Sequence, residues 1–345
     1  MAEQQPDLGD AAPTLSVVLP NYNHGRYLPR ALDALLAQSR PADEIIVIDD
    51  ASTDDSRDII ARYAAKNLSI RPLLNDKNIG VIATLTRGLN VARGTYVYFG
   101  AADDFVLPRF FATGLAALQA YPNAGLFCGE MILVDGTSGK SLGARPPVRP
   151  RFRAGYISPA KFGRLLRYND NFILTGAALI RRDAAVWAGG FDKGLSTFAD
   201  AYLVRKIAFT YGLCYAPQPC LTWCIFPDGV SRTTSTNVDR TQQVFKSIQS
   251  RMTADPVFPK WYWNVFERRW RFSICRLATQ EDPINIAILE SIQGKTGLAL
   301  TKWAIANLGG HIARLLILAL LWCRLRPYSI VGLLSTALAR RFAAT

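Results

Sequence analysis

Two carboxylates, Asp103 and Asp104, stand side by side directly after an apolar run at residues 95–100 and just before Leu107-Pro108. Like charges side by side repel and prefer water to the end of a buried strand, and a cation between them would let a strand deliver both to one spot. Three other strand ends have the same polar character: PNYN at 20–23, DDAS at 49–52 and NDKNIG at 75–80. Taken singly these read as a loop, a helix cap and a turn. In an open α/β sheet, however, ligands bind beyond the carboxyl ends of the strands, and four polar ends would meet along one rim. No GxGxxG follows the first apolar run and no GxxxxGK[ST] occurs, so a phosphate would not be held by a glycine loop. A hard divalent cation, Mg²⁺ or Mn²⁺, suits carboxylate oxygens and completes its shell with phosphate oxygens.

The elements that must carry these ends alternate regularly. Apolar, β-branched runs at 15–20, 44–50, 69–74 and 95–100 predict strands. Between them, 25–39, 52–65 and 80–92 predict helices, the first from Leu28, Ala31, Leu32, Leu35 and Leu36 at helical spacing. Such alternation implies a parallel sheet with right-handed crossovers, and burial of both faces explains the unbroken apolar strands. Beyond residue 108 the pattern loosens. A helix at 109–120 and a strand at 124–134 are followed by a Pro/Arg/Gly-rich stretch at 143–155 that reads as a long loop. Residues 171–192 hold a strand, a short helix and a Gly-Gly turn; 198–212 is helical, 213–226 extended, and 238–292 largely helical and aromatic-rich.

A chain of 345 residues can bury a substantial core. Half its residues are hydrophobic, which excludes a disordered chain, and its formal net charge is +13. Residues 260–345 hold twelve Lys and Arg against four Asp and Glu, so the basic excess sits in the last quarter and suggests an anionic surface as partner. That charge is interleaved with aliphatic and not with stacking aromatic residues, which argues against nucleic acid. Six cysteines without CxxC spacing and two histidines argue against structural zinc and fit a reducing compartment. The first 13 residues are polar and acidic, unlike a signal peptide, and read as a disordered leader.

The succession SVVLPNYN, EIIVIDDASTDDS, NIG and GTYVYFGAADDFVLP, followed by GAALIRRDAAVWAGGFDKGLSTFADAYLVRKIA, resembles the family 2 glycosyltransferases of GT-A fold, over roughly residues 14–235. The resemblance implies an α/β, Rossmann-like, mostly parallel sheet flanked by helices, with a helical C-terminal extension. It divides the chain into a leader (1–13), a GT-A domain (14–235, with a nucleotide-binding half 14–108 and an acceptor half 109–235) and a helical, basic, apolar region (236–345). It also implies inverting transfer from a nucleotide-diphosphate sugar, a UDP-sugar first among them, to a hydroxyl on a saccharide or lipid-linked acceptor, in bacterial surface polysaccharide or glycolipid synthesis.

Carried over by position, Pro20, Tyr22 and Asn23 would line the nucleotide pocket, Asp50 would bond the base, and Asp49 would support the strand end. Gly80 would lie close to the nucleotide, Asp103 would reach the ribose or the metal, and Asp104 would ligate Mn²⁺ or Mg²⁺ directly. Asp200 would be the general base; from the residues alone it reads as well as an acid favoured by the helix dipole. Three positions depart from the family pattern: Ala101 for a first acid, Ala199 for a Glu, and Phe226 for a metal-binding His. They keep open a nucleotide-sugar-binding protein without turnover. A sugar-nucleotide nucleotidyltransferase is the other alternative, although LPNYNHGRYL lacks the Gly-rich basic loop expected of one. Acceptor specificity is expected in the loops at 135–157 and 227–240.

In the tail, the apolar run Leu315–Cys323 is far shorter than the ~20 residues needed to span a bilayer. Arg and Trp beside it fit a helix lying in the membrane interface. The expectation is a cytoplasmic protein that uses 296–345 for peripheral contact with the inner face of the plasma membrane, or else packs this segment on the catalytic domain or a second subunit.

Overall fold

A computed structural model describes residues 12–226, 237–293 and 295–343. Most of the leader, and positions 227–236 of the second specificity loop, lie outside the described residues. The first half of the chain runs β1 (Leu15–Asn21), α1 (Leu28–Leu36), β2 (Glu44–Asp49), α2 (Ser56–Lys66), β3 (Ile70–Leu74), α3 (Val81–Val91), β4 (Tyr96–Phe99), β5 (Phe105–Val106) and α4 (Phe110–Ala120). The second half continues with β6 (Leu126–Asp135), β7 (Ser141–Arg145), β8 (Gly155–Ile157), α5 (Pro159–Leu166), β9 (Ala178–Arg181), α6 (Arg182–Trp187), α7 (Ala199–Tyr211) and β10 (Leu213–Ile225). Among the described residues, six helices follow: α8 (Val238–Ala254), α9 (Tyr262–Gln280), α10 (Ile286–Gln293), α11 (Lys295–Asn307), α12 (Gly310–Leu325) and α13 (Ile330–Ala343).

One ten-stranded sheet has the order β3-β2-β1-β4-β9-β6-β10-β5, with β7 beside β6 and β8 beside β10. β3, β2, β1 and β4 run parallel, as the alternation predicts. Period-2 side-chain alternation sends Val17 and Leu19 of β1 to one face, against Leu28, Leu32 and Leu35 of α1, and Val18 to the other, with Leu89 of α3. Gly88 lets α3 cross close over β1, because a Cβ there would collide with Val18.

β9 enters antiparallel between β4 and β6. β10 slips register between Tyr215 and Pro219 and again before Leu221; its end then pairs with β6 on one side and β5 on the other. The stretch at 143–155 begins inside β7, and β8 closes it. SLGAR lacks the β-branched residues that signal a strand, and only its pairing with β6 makes it one. The C-terminal helices share the core of the sheet: a single hydrophobic cluster runs from Val18 to Leu321. Two buried polar clusters fasten them. Arg205 of α7 bonds Asp170 (2.8 Å) and the Tyr262 hydroxyl of α9 (2.7 Å). Glu130 of β6 accepts from Arg149 (2.7 Å) and Tyr215 (2.9 Å) and pairs with Arg340 of α13 (3.2 Å).

Candidate active site

Asp49 ends β2 with no exposed surface. It accepts from Asn21 Nδ2 (3.0 Å), the Ser52 amide (3.0 Å) and Arg57 Nε (2.9 Å). Burial works to raise its pKa, but the Ser52, Arg57 and Asn21 donors outweigh it and hold the carboxylate below its usual value of 3.8. Asp50, also buried, takes the Asn75 side-chain amide (2.7 Å) and the Ile79 amide (2.9 Å) on one oxygen and the Gly80 amide (2.8 Å) on the other. One acid thus holds β1 to β2, and the other shapes the loop after β3.

Gly80 has φ +85° and nothing around the position of a Cβ, so the backbone there is open to close approach. Pro20 lies in β1 opposite Ile48, and Tyr22 is exposed. Asn23 adopts φ 54° and accepts from the Thr53 amide at 2.8 Å, and Ala51 sits at φ 62°. Left-handed backbone at non-glycine residues costs free energy and clusters at functional sites.

The acidic pair is answered from two sides. Arg30 of α1 donates to the Asp103 carbonyl (3.1 Å) and to Cys224 Sγ (3.1 Å), with its guanidinium 4.5 Å from the Phe105 ring. The Cys224 amide of β10 donates to Asp104 Oδ1 (2.8 Å). Burial and the neighbouring Asp103 charge still push the Asp104 pKa well above 3.8, against the Cys224 amide and the Arg30 charge. Arg30, Cys224 and Thr175 carried no signal in the sequence; an arginine after a helix-opening proline looks like any solvated charge.

Asp200 reaches the same edge by a different route. β9 runs antiparallel to β4 with Tyr98 opposite Leu179, so the turn Thr175–Ala177 that feeds it lies beside the carboxyl end of β4. The Thr175 side chain hydrogen-bonds Asp200, in the first turn of α7. Desolvation raises the Asp200 pKa above 3.8, opposed by the Ala201 amide, Thr175 and the charge of Arg205. Burial therefore prevails over these partners. Immediately upstream Ser196 is held at φ 48°, ψ −127°.

The topology thus brings Asp50, Asp103, Asp104 and Asp200 to one edge of the sheet. Among the described residues no group of three His, Cys, Asp or Glu gathers as a metal cage. Phe226 packs on Tyr27 with ring centroids 4.8 Å apart and covers Gly136, where a Cβ would collide with it. The donor set fits a divalent ion that takes one or two carboxylates and fills its shell with substrate phosphate and water.

Residues 16–187 match the model of glycosyl transferase family 2. The putative teichuronic acid biosynthesis glycosyltransferase TuaG of Bacillus subtilis is 36% identical over 92 residues, 27% of this chain and 36% of TuaG. The chain spans 28% of the length of one curated relative, the uncharacterized glycosyltransferase YibD of Escherichia coli, and 66% of another, the uncharacterized protein MT1568 of Mycobacterium tuberculosis. The fold is similar to S. aureus TarS 1-349 in complex with UDP-GlcNAc (TM-score 0.61, 14% identity, covering 92% of this chain and 93% of that one). It is similar also to the mannosyltransferase PcManGT from Pyrobaculum calidifontis in complex with GDP-Man and Mn²⁺ (TM-score 0.57, 19% identity, 95% and 87%).

Proposed function

We propose that this chain, a member of glycosyl transferase family 2 through residues 16–187, transfers a sugar from a nucleotide diphosphate to a hydroxyl acceptor with inversion. The observation that carries this reading is the carboxylate of Asp200, raised in pKa by burial, at the sheet edge that also bears Asp103 and Asp104. A general base works best with a pKa drawn toward the operating pH, contributing roughly 10²–10⁴-fold. Asp200 takes the acceptor proton as that oxygen bonds to the anomeric carbon, and the bond from this carbon to the diphosphate breaks on the opposite face.

Asp50 and Gly80, with Pro20, Tyr22 and Asn23, form the nucleotide side, and Asp49 holds its strands in register. Asp104, with Asp103, would hold Mn²⁺ or Mg²⁺, which supplies neutralising charge to the leaving diphosphate. The complex of PcManGT with GDP-Man and Mn²⁺ supports this chemistry by analogy of fold. Residues 14–108 serve as the nucleotide half, 109–235 as the acceptor half, and 236–345 as a helical platform.

The role of TuaG points to surface polysaccharide synthesis, and the tail supports a membrane-carried acceptor. No single helix among the described residues is long and apolar enough to cross a membrane; α12 and α13 reach that length only together, as a pair bent by 117°. On α13 the side facing the core carries Thr336 and Arg340, while Ile330, Val331, Leu334, Leu338 and Phe342 are exposed on the other. Seven Lys and Arg and no acid follow Glu290. Such a face suits the surface of an anionic bilayer at the cytoplasmic leaflet.

Thermal stabilisation by a panel of UDP-, GDP- and dTDP-sugars with Mn²⁺ tests the donor, and no response to any of them would refute it. A second reading, binding without turnover, is favoured by Phe226 at the family's histidine position. Hydrolysis of the stabilising donor would exclude it.

A further inference from the structure

Three arginines come together beside the acceptor half with no carboxylate to answer them. Arg145 ends β7, and Arg269 and Arg276 lie seven residues apart, two turns along one face of α9. Between them stands Tyr328, in the link from α12 to α13. The Arg269 guanidinium lies 4.6 Å from the centroid of its ring, and its hydroxyl meets the Asn171 side chain. Burial works to raise the Tyr328 pKa, yet the charges of Arg269, Arg145 and Arg276 outweigh it and draw the phenol below its usual value. Arg276 is itself pushed down by burial and by Arg145.

The other buried arginines of the domain are paired: Arg149 with Glu130, Arg181 with Asp183, Arg205 with Asp170. Arg269 is only 7% exposed, and its Nε and Nη1 have no hydrogen-bond partner among the described residues. Neither it nor Arg145 nor Arg276 forms an ion pair among the described residues. A buried, uncompensated guanidinium is costly, and the planar fork of arginine matches phosphate oxygens. The phenol of Tyr328 and the amide of Asn171 add neutral donors to the same place.

The location narrows the ligand. Asn171, held at φ 146°, is four residues from Thr175, the partner of Asp200. Tyr328 is two residues from Ile330, where the exposed apolar side of α13 begins. We propose that Arg145, Arg269, Arg276 and Tyr328 bind the phosphate or diphosphate group of the acceptor, between the general base and the membrane-facing helices. This rests on the reading of the chain as a transferase with a membrane-carried acceptor. A lipid phosphate and a free diphosphate share the chemistry and are separated by experiment.

The full-length chain is assayed with inorganic pyrophosphate in metal-free buffer, and with phosphatidylcholine vesicles containing either phosphatidic acid or phosphatidylserine at matched surface charge. Pyrophosphate is expected to raise the melting temperature, and phosphatidic acid vesicles to bind better than phosphatidylserine ones. Arg276→Gln, at a partly buried member of the cluster, is expected to weaken both responses about tenfold, the worth of one lost charge-assisted hydrogen bond. Arg269→Met is expected to melt no lower than the parent without ligand while losing the pyrophosphate shift, which separates loss of binding from misfolding. Unchanged responses in both variants would overturn the site. A pyrophosphate shift without preference for phosphatidic acid keeps the phosphate site and overturns the lipid source. Displacement of pyrophosphate by UDP would assign the cluster to the donor and overturn the proposal. UDP binding with Mn²⁺, measured in parallel, is expected to be equal in parent and variants; its absence from the parent would sink the donor reading and leave the pyrophosphate result standing.

Discussion

Asp49, at the end of β2, and Arg269, on a helix of the C-terminal region, are both buried charges with opposite surroundings. Asp49 receives donors from Asn21, Ser52 and Arg57, whereas Arg269 keeps two nitrogens without a hydrogen-bond partner among the described residues. The same contrast separates Asp50, bonded through both oxygens, from Asp200, whose partners do not offset its burial. A charge fully answered by the fold holds backbone in place. One left short of partners destabilises the empty protein and is positioned to meet a ligand. Substitutions should therefore split cleanly, with stability lost on the first side and function on the second.

The largest effect is expected at Asp200. Asp200→Asn should lower transfer by roughly 10²–10⁴-fold, the usual worth of a general base, with donor affinity and melting temperature unchanged or improved. Retained transfer, measured as nucleotide diphosphate released with acceptor present, would remove Asp200 from the chemistry. Next is Glu130, which answers Arg149 and Arg340 together at the joint between the two regions. Glu130→Ala leaves Arg149 buried without its partner and should cost about 3–5 kcal/mol in urea unfolding. Arg340→Ala, from the better exposed side of the joint, should cost about 1 kcal/mol.

A direct comparison of the two opening residues follows in size. Asp49→Ala should destabilise by about 2 kcal/mol, since it removes a charged acceptor of three hydrogen bonds whose arginine partner is half exposed. Arg269→Met, of similar burial, should cost nothing or stabilise, because an unanswered charge gives way to a packed thioether stem. Equal losses in both would erase the distinction between answered and unanswered charges.

Which of these features could be read in the sequence follows from how local they are. The βαβ units declare themselves through Leu28, Leu32 and Leu35 at helical spacing and through apolar runs ending in Asp49-Asp50 or Asp103-Asp104, because each pattern lies within one element. The two short strands β5 and β7 do not, since Phe105–Val106 and Ser141–Arg145 become strands only by pairing with β10 and β6. The sequence singles out Asp104, but its contact with Cys224 spans 120 positions and depends on the register slip in β10. The arginine cluster is less legible still. Arg145 is an ordinary member of the Pro/Arg/Gly-rich stretch, and Arg269 and Arg276 of the basic region, until α9 and the α12–α13 link fold against β7.

The smallest predicted effect, and the one with the clearest sign, is the response of stability to pH. Asp49 has its folded pKa held below 3.8, so the folded state binds its proton less tightly than the unfolded chain. The stability it contributes is complete above 3.8 and is lost as pH falls through the folded pKa. Asp200 has its folded pKa above 3.8, so between these two values the folded state binds more protons than the unfolded one. Its contribution therefore declines as pH rises through that window and stays unfavourable at neutral pH. Asp104, raised by burial and by Asp103, adds to the same decline. Urea unfolding of the parent and Asp200→Asn in metal-free buffer from acid to neutral pH isolates the term. The variant should gain on the parent as pH rises, while Asp49→Asn should lose ground to it over the acid range. A variant–parent difference for Asp200 that is flat with pH would mean that its carboxylate is as well answered as that of Asp49, and the division between the two sides would fail at its central residue.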